Sequence, residues 1–297
     1  MQSQGVQSQE LSRCPACNSA SFSPAFRHSG YQLVRCDMCR LLFVNPQAPA
    51  MVTDQIYEKV YFDKRDVATG SVAPEKVKEF RLLSGKERLA DIEKTKRPPG
   101  RLLDVGCAEG FFLESAKAGG WECYGVELSS FGAEVARQAG VGEIFTGTLR
   151  DAKYPDNHFD VVTMFDVIEH LHDPKVELEE VLRILKPGGM YYTLTPDAKS
   201  PPARLMGKRW FEIKPPEHLF YFSGGNMQDL LRSVGFERIS SHSGGKVLTL
   251  EYIALVLSRT TPWLSTVVRA GTGWMPIYRK PISFKTGFLI AQGLKPN

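Results

Sequence analysis

The chain has 297 residues, 42% hydrophobic and 24% charged, with 37 Lys/Arg against 33 Asp/Glu and a net charge of +4. That length accommodates one full α/β domain and a small accessory module, in a composition typical of soluble domains. So small a charge gives no ground for nucleic-acid binding and is only weakly compatible with an anionic substrate or a membrane surface.

Residues 1–11 are Gln/Ser-rich and expected to be disordered. They lack the apolar run of a secretory signal, and no later stretch approaches the roughly 20 apolar residues that span a bilayer. Residues 12–46 carry two CxxC pairs, Cys14/Cys17 and Cys36/Cys39, separated by 18 residues. Each pair presents two soft thiolates on one side of a tight turn, and two such turns make a closed tetrahedral zinc site, a zinc ribbon. In a chain without an export signal the pattern favours thiolate–metal ligation over disulfides, and reducing cytosol is the expected compartment. Four thiolates leave no open coordination position, so the Zn2+ is expected to be structural. The only strong cations of the module are Arg13, Arg27, Arg35 and Arg40, too sparse for a nucleic-acid patch.

Residues 47–98 look helical and form a candidate lid, with Tyr57, Tyr61, Phe62, Phe80, Leu82, Leu83 and Leu89 as potential buried positions; Pro98-Pro99-Gly100 ends the helix. From residue 99 to 245 strands and helices alternate. Strands are expected at Arg101–Val105, Glu122–Glu127, His158–Phe165 and Met190–Thr195, with helices at Gly110–Ala118, Ser129–Ala139 and Lys175–Leu185. This alternation implies a mostly parallel sheet covered on both faces. Residues 196–222, rich in Pro, Trp, Phe and His, are a candidate substrate loop. A helix at Gly225–Val234 and a strand at Phe236–Ser241 follow. Residues 246–297 read as an apolar helical extension and a closing strand, Phe288–Gln292. Burial of 246–270 against the domain or in a dimer is the first expectation, and a membrane-surface contact the alternative.

The segment Leu102–Gly110 reads as a buried strand, a tight turn and a helix start. Gly106 permits close backbone approach and Gly110 lets the helix begin without a clash; N–H groups at that helix start suit a ligand carboxylate. A dinucleotide fingerprint needs glycines at the first, third and sixth positions, which here are Gly106, Ala108 and Phe111. That match fails twice, and Asp104 before the turn would repel a pyrophosphate. An acid there suits a cationic amino group. Glu127, 17 residues beyond Gly110, ends the second strand, where a carboxylate can bind both ribose hydroxyls. One ligand satisfies both acids: a nucleoside carrying an amino acid.

With these motifs in order, DVGCAEG, VELS, FDVVTMFDVIEHLHDP, LKPGGM and EHLFYFS, the chain from about Arg101 to Phe236 resembles the class I S-adenosylmethionine-dependent methyltransferases, and within them the ubiquinone-type O-methyltransferases and their sugar and secondary-metabolite relatives. The resemblance implies a Rossmann-like, mostly parallel seven-stranded sheet behind the zinc ribbon. It implies S-adenosylmethionine as cofactor, held by Asp104, Gly106, Cys107, Gly110, Glu127, Leu128, Thr148, Leu149 and Phe165, with Tyr61 closing from the amino-terminal side. Ala108 replaces the family's usual glycine, and Thr148 stands where an acid is common.

Methyl transfer demands in-line positioning, exclusion of water and, for a hydroxyl acceptor, a general base. His170 is the first candidate, with loop orientation by Glu169-His170 as the bland alternative; His218 in the substrate loop is the second. Trp210, Phe211, Phe220 and Tyr221 are candidate acceptor walls. The expected acceptor is a small-molecule hydroxyl on a sugar, lipid or secondary metabolite. Two rivals stand beside this reading. Asp166, Glu169, His170 and His218 could hold a metal as in RNA ribose methyltransferases, or the domain could be a non-catalytic scaffold for the ribbon.

Overall fold

A computed structural model describes residues 9–49, 74–260 and 262–297. Tyr57, Tyr61 and Phe62 lie outside the described residues. Three ribbon strands, β1 (Phe22–His28), β2 (Tyr31–Cys36) and β3 (Leu42–Val44), precede the helix α1 (Pro74–Ile92). The α/β domain then runs β4 (Arg101–Val105), α2 (Phe111–Ala118), β5 (Glu122–Glu127), α3 (Ser130–Gln138), β6 (Glu143–Thr146), β7 (Phe159–Phe165), α4 (Pro174–Ile184) and β8 (Leu185–Pro196). It continues through α5 (Pro201–Met206), β9 (Phe220–Tyr221), α6 (Gly224–Val234), β10 (Glu237–Leu248), α7 (Leu250–Thr260), α8 (Pro262–Thr272) and β11 (Ile282–Leu294).

Local chemistry sets these boundaries. Ser129 Oγ accepts from the Gly132 N–H at 3.3 Å and starts α3. Asp173 accepts from Val176 with Pro174 at the first helical position, starting α4. Gly235, at φ 110°, ends α6 in a left-handed conformation that a side chain would resist.

Seven strands form one sheet in the order β10-β11-β8-β7-β4-β5-β6. All run parallel except β11, which lies antiparallel to both β10 and β8. The expected closing strand is therefore an interior one, and the stretch read as an extension completes the sheet. Alternation along β4 sends Leu103 and Val105 to one core and Leu102 to the other. The first core holds α4, α6 and the ribbon's Leu33 and Phe43. The second holds Leu89 and Ile92 of α1 with Phe112 and Leu113 of α2.

The ribbon and the candidate substrate loop are joined. β9, which comes from that loop, pairs antiparallel with β3 and completes a four-stranded sheet β1-β2-β3-β9. Phe43 and Phe220 pack with ring centroids 6.2 Å apart, and Asn226 Nδ2 donates to the Cys39 carbonyl at 2.6 Å.

Helices α7 and α8 form a hairpin between β10 and β11. Ser265 Oγ donates to the Ala254 carbonyl at 2.7 Å, stitching the two helices. Burial against the domain is partial: within the chain Trp263 is 69% and Val267 58% exposed, while Ala254 and Ser265 are buried. The packed face of α8 is used up by α7, and its other face meets solvent. Among the described residues no helix is long and apolar enough to cross a membrane.

Candidate active site

The sheet order reverses direction beside β4: β5 and β6 follow on one side, β7 and β8 on the other. Ligands of open α/β sheets bind outside the carboxyl ends of strands at such a switch point, and the acids singled out from sequence converge there.

Asp104 lies in β4 and is 3% exposed. Its register partner on β7 is Thr163, whose hydroxyl donates to Asp104 Oδ1 at 2.7 Å. Burial pushes the carboxyl up to about 7, opposed by the Thr163 hydrogen bond and the Arg88 charge. Glu127, also buried, accepts the Ala108 N–H on Oε2 at 2.8 Å and the Ser129 N–H on Oε1 at 2.9 Å. These bonds fix the carboxylate plane.

The turn between β4 and α2 packs closely against its own neighbours and needs its glycines. Gly106 has φ 73°, and a Cβ there would meet Val167 Cγ2 at 2.5 Å; Gly110 has φ 80° with Val141 Cγ2 at 2.8 Å. Ala108 also takes a left-handed φ of 49°, which explains why a glycine is usual here and why the alanine is strained rather than merely larger. Gly106 and Cys107 both donate their N–H to the Val126 carbonyl, at 2.7 and 3.1 Å. These N–H groups are therefore already engaged within the protein. The Cys107 thiol is buried and held well above its ordinary pKa by burial first and the neighbouring acids second, which makes it a packing group rather than a nucleophile.

Phe165 at the end of β7 contacts Phe112 edge-on at 4.7 Å and carries the Arg88 guanidinium 4.4 Å from its ring centroid. Leu149 is buried and Leu128 is 42% exposed. Thr148 Oγ1 donates to Asp151 at 2.6 Å, bringing an acid beside the position where the sequence lacks one. Arg81 and Arg88, both on α1, give no signal in the sequence. Arg81 pairs with Glu109 at 2.6 Å, and Arg88 Nε is buried without a hydrogen-bond partner. A 3.6-residue pattern marks the buried face of a helix but gives no sign of which neighbour a flanking arginine meets.

The two candidate bases come together. His170 and His218 meet edge to face with ring centroids 4.7 Å apart. His170 Nδ1 lies 2.7 Å from the Glu217 carbonyl. A carbonyl only accepts, so in the neutral ring Nδ1 carries the proton and Nε2 the lone pair. Glu169 is buried; its carboxylate accepts the Thr195 hydroxyl at 2.9 Å. Its carbonyl accepts the N–H groups of Leu219 and Phe220 at 2.8 and 3.2 Å. Glu169 thus anchors the substrate loop, and His170 is tied to the same loop through Glu217. Glu169, His170 and His218 offer ligand atoms within 4.8 Å of one another; Asp166 is not part of that group. Trp210, Phe220 and Tyr221 are buried, and Phe211 partly so; Tyr221 OH donates to the His218 carbonyl at 3.0 Å.

In the ribbon, Cys14, Cys17, Cys36 and Cys39 place all four sulfurs within 4.8 Å of one another, with Cys14–Cys39 and Cys17–Cys36 at 3.5 Å. None is in a disulfide. Tetrahedral zinc with Zn–S of about 2.3 Å needs sulfurs about 3.8 Å apart, so the donor set fits that ion.

Comparison with known proteins accords with this geometry. Residues 77–241 match the methyltransferase domain family. The chain is 30% identical over 158 residues to a ubiquinone biosynthesis O-methyltransferase of Ruegeria pomeroyi, covering 49% of this chain and 64% of the relative. It is 33% identical over 110 residues to the protein of the same name from Alkalilimnicola ehrlichii, covering 34% and 44%. The chain thus spans about half the length of these curated relatives. Two solved methyltransferases share the fold. One, from Thermotoga maritima, has a TM-score of 0.51 at 24% identity over 74% of this chain and 91% of its own. The other, from Archaeoglobus fulgidus, has a TM-score of 0.51 at 20% identity over 73% and 96%. The fold is the one these solved methyltransferases share. The chain belongs to the methyltransferase domain family.

Proposed function

We propose that the protein transfers a methyl group from S-adenosylmethionine to a hydroxyl of a small molecule. The observation that carries this reading is the pair of buried strand acids, Asp104 and Glu127, separated by a glycine turn at the switch point. Glu127, its plane fixed by two backbone N–H groups, takes the ribose hydroxyls. Asp104 takes the cationic amino group, and Arg88, with its Nε buried and unpartnered beside it, takes the ligand's carboxylate. We assign Phe165, Leu128 and Leu149 to the remainder of the cofactor site, with Thr148 and Asp151 beyond them. When bound, S-adenosylmethionine supplies an electrophilic methyl group on a sulfonium.

The chain's own contribution is to align the acceptor, exclude water and receive a proton. His170, protonated at Nδ1 toward Glu217, accepts the hydroxyl proton at Nε2. His218 packs against it and holds the ring upright. Preference for oxygen follows from this histidine pair together with the similarity to ubiquinone O-methyltransferases.

We further propose that the four ribbon thiolates hold one structural zinc ion. Because β9 completes the ribbon sheet, that ion also fixes the loop bearing His218. Incubation of the purified protein with methyl-labelled S-adenosylmethionine and fractionated small-molecule extract tests the proposal. Label should enter a base-stable, RNase-resistant small molecule with wild type and fall by about 10²–10⁴ with His170→Ala. Label in RNA, or none from any extract, contradicts it.

A further inference from the structure

The charge of this chain is unevenly placed. Residues 252–285 contain five cations, Arg259, Arg269, Arg279, Lys280 and Lys285, and no Asp or Glu. The rest of the chain carries the other 32 Lys/Arg against all 33 Asp/Glu. The α7–α8 hairpin and the turn that follows it, residues 250–281, hold four of these cations and one acid, Glu251, at the start of α7.

The same segment bears both of the exposed tryptophans among the described residues. Trp263, Val267 and Ala270 recur at four- and three-residue spacing, one face of a helix, and all three are exposed. Trp274, 79% exposed, and Ile277, 44% exposed, extend this surface through the following turn, Met275 being exposed between them. Exposed Arg269 and Lys280 flank it. α8 packs chiefly on α7, so no described element of the domain covers the outward face. Isolated apolar residues on a surface need no explanation, but two exposed tryptophans in a 34-residue stretch, 252–285, that carries five cations and no acid do. Tryptophan belongs at the boundary between water and hydrocarbon, its ring apolar and its N–H polar. Surrounding cations without acids suit a negatively charged surface.

We infer that the α7–α8 hairpin docks the protein on an anionic lipid bilayer, with Trp263 and Trp274 inserted at headgroup depth and the neighbouring cations against lipid phosphates. The contact is monotopic, since the helices are too short to span. It concerns where the protein works, and its readouts are independent of which acceptor is methylated.

Co-sedimentation of the full chain with phosphatidylcholine vesicles, with and without about 30% phosphatidylglycerol, tests the inference. Wild type should pellet with the anionic vesicles, remain largely in solution with neutral ones, and be released by about 0.5 M salt. Trp263→Ser with Trp274→Ser should lower the bound fraction by about tenfold. S-adenosylhomocysteine affinity and far-ultraviolet circular dichroism should stay unchanged, which separates loss of docking from loss of fold. Wild type left in the supernatant with anionic vesicles overturns the inference. So does equal binding by the double variant, or a lipid-free dimer that the two substitutions convert to monomer.

Discussion

Asp104→Asn probes the cofactor site through proton linkage. Burial pushes the Asp104 carboxyl up to about 7, against an ordinary aspartate near about 3.9. A group whose folded pKa is raised contributes stability that is fully present below its unfolded pKa and is lost as pH climbs through the folded one. A rise of about three in pKa, at about 1.36 kcal/mol each, puts that loss near 4 kcal/mol for the unliganded protein between about pH 4 and pH 7. A cationic ligand amino group favours the ionised carboxylate, so binding below pH 7 must release a proton. The ionised fraction rises from about 3% at pH 5.5 to about half at pH 7, and affinity should rise about fifteenfold. An α-amino group, with pKa of about 7.7–8.0, stays cationic over that range. Titration calorimetry with S-adenosylhomocysteine, repeated in buffers of different ionisation enthalpy, reads both affinity and proton release. Asp104→Asn should flatten this part of the profile, weaken binding at pH 7 by about 1.5–3 kcal/mol and raise unliganded stability at pH 8. A flat wild-type profile without proton release, in protein with native circular dichroism, refutes the reasoning.

Thr163→Val removes the hydrogen bond that favours ionised Asp104, so S-adenosylhomocysteine affinity at pH 7 should fall about tenfold, with the loss recovering at higher pH in the same calorimetric experiment. Ala108→Gly relieves a left-handed alanine and should stabilise the protein by about 1 kcal/mol, raising Tm by about 2–4 °C in a thermal melt; a lowered Tm contradicts the strain. Elemental analysis should find one zinc per chain. Its removal by a chelator should abolish methyl transfer while leaving S-adenosylhomocysteine affinity within about twofold, because Asp104 and Glu127 are held by β4 and β5 whereas His218 belongs to the loop held by the ribbon; equal loss of both contradicts that division.

The central parallel strands β4, β5, β7 and β8 were legible because each holds a short apolar run bounded by turn residues and helices. The structure forms β4 and β5 at the residues the sequence pattern indicates. β6 escaped: Glu143–Thr146 is four residues at a sheet edge with one residue fully buried, too brief to show a period. The pairing of β9 with β3 was equally hidden. Apolar runs do not name their partners, and Phe43 and Phe220, which stand opposite each other in register, lie far apart in sequence. Asp104 and Glu127 could be found because strand-end acids beside glycines have few structural uses. Thr163 and Arg88 could not, because their roles come from register across β4 and β7 and from the packing of α1. The apolar character of residues 246–270 was plain in sequence, but which face the domain would cover was not.

The most direct measurement is a crystal structure of the full chain with S-adenosylhomocysteine. Its ribose hydroxyls should lie within hydrogen-bond distance of the Glu127 carboxylate, with the amino end toward Asp104. A ligand bound elsewhere, or one that leaves either carboxylate without contact, would contradict the account.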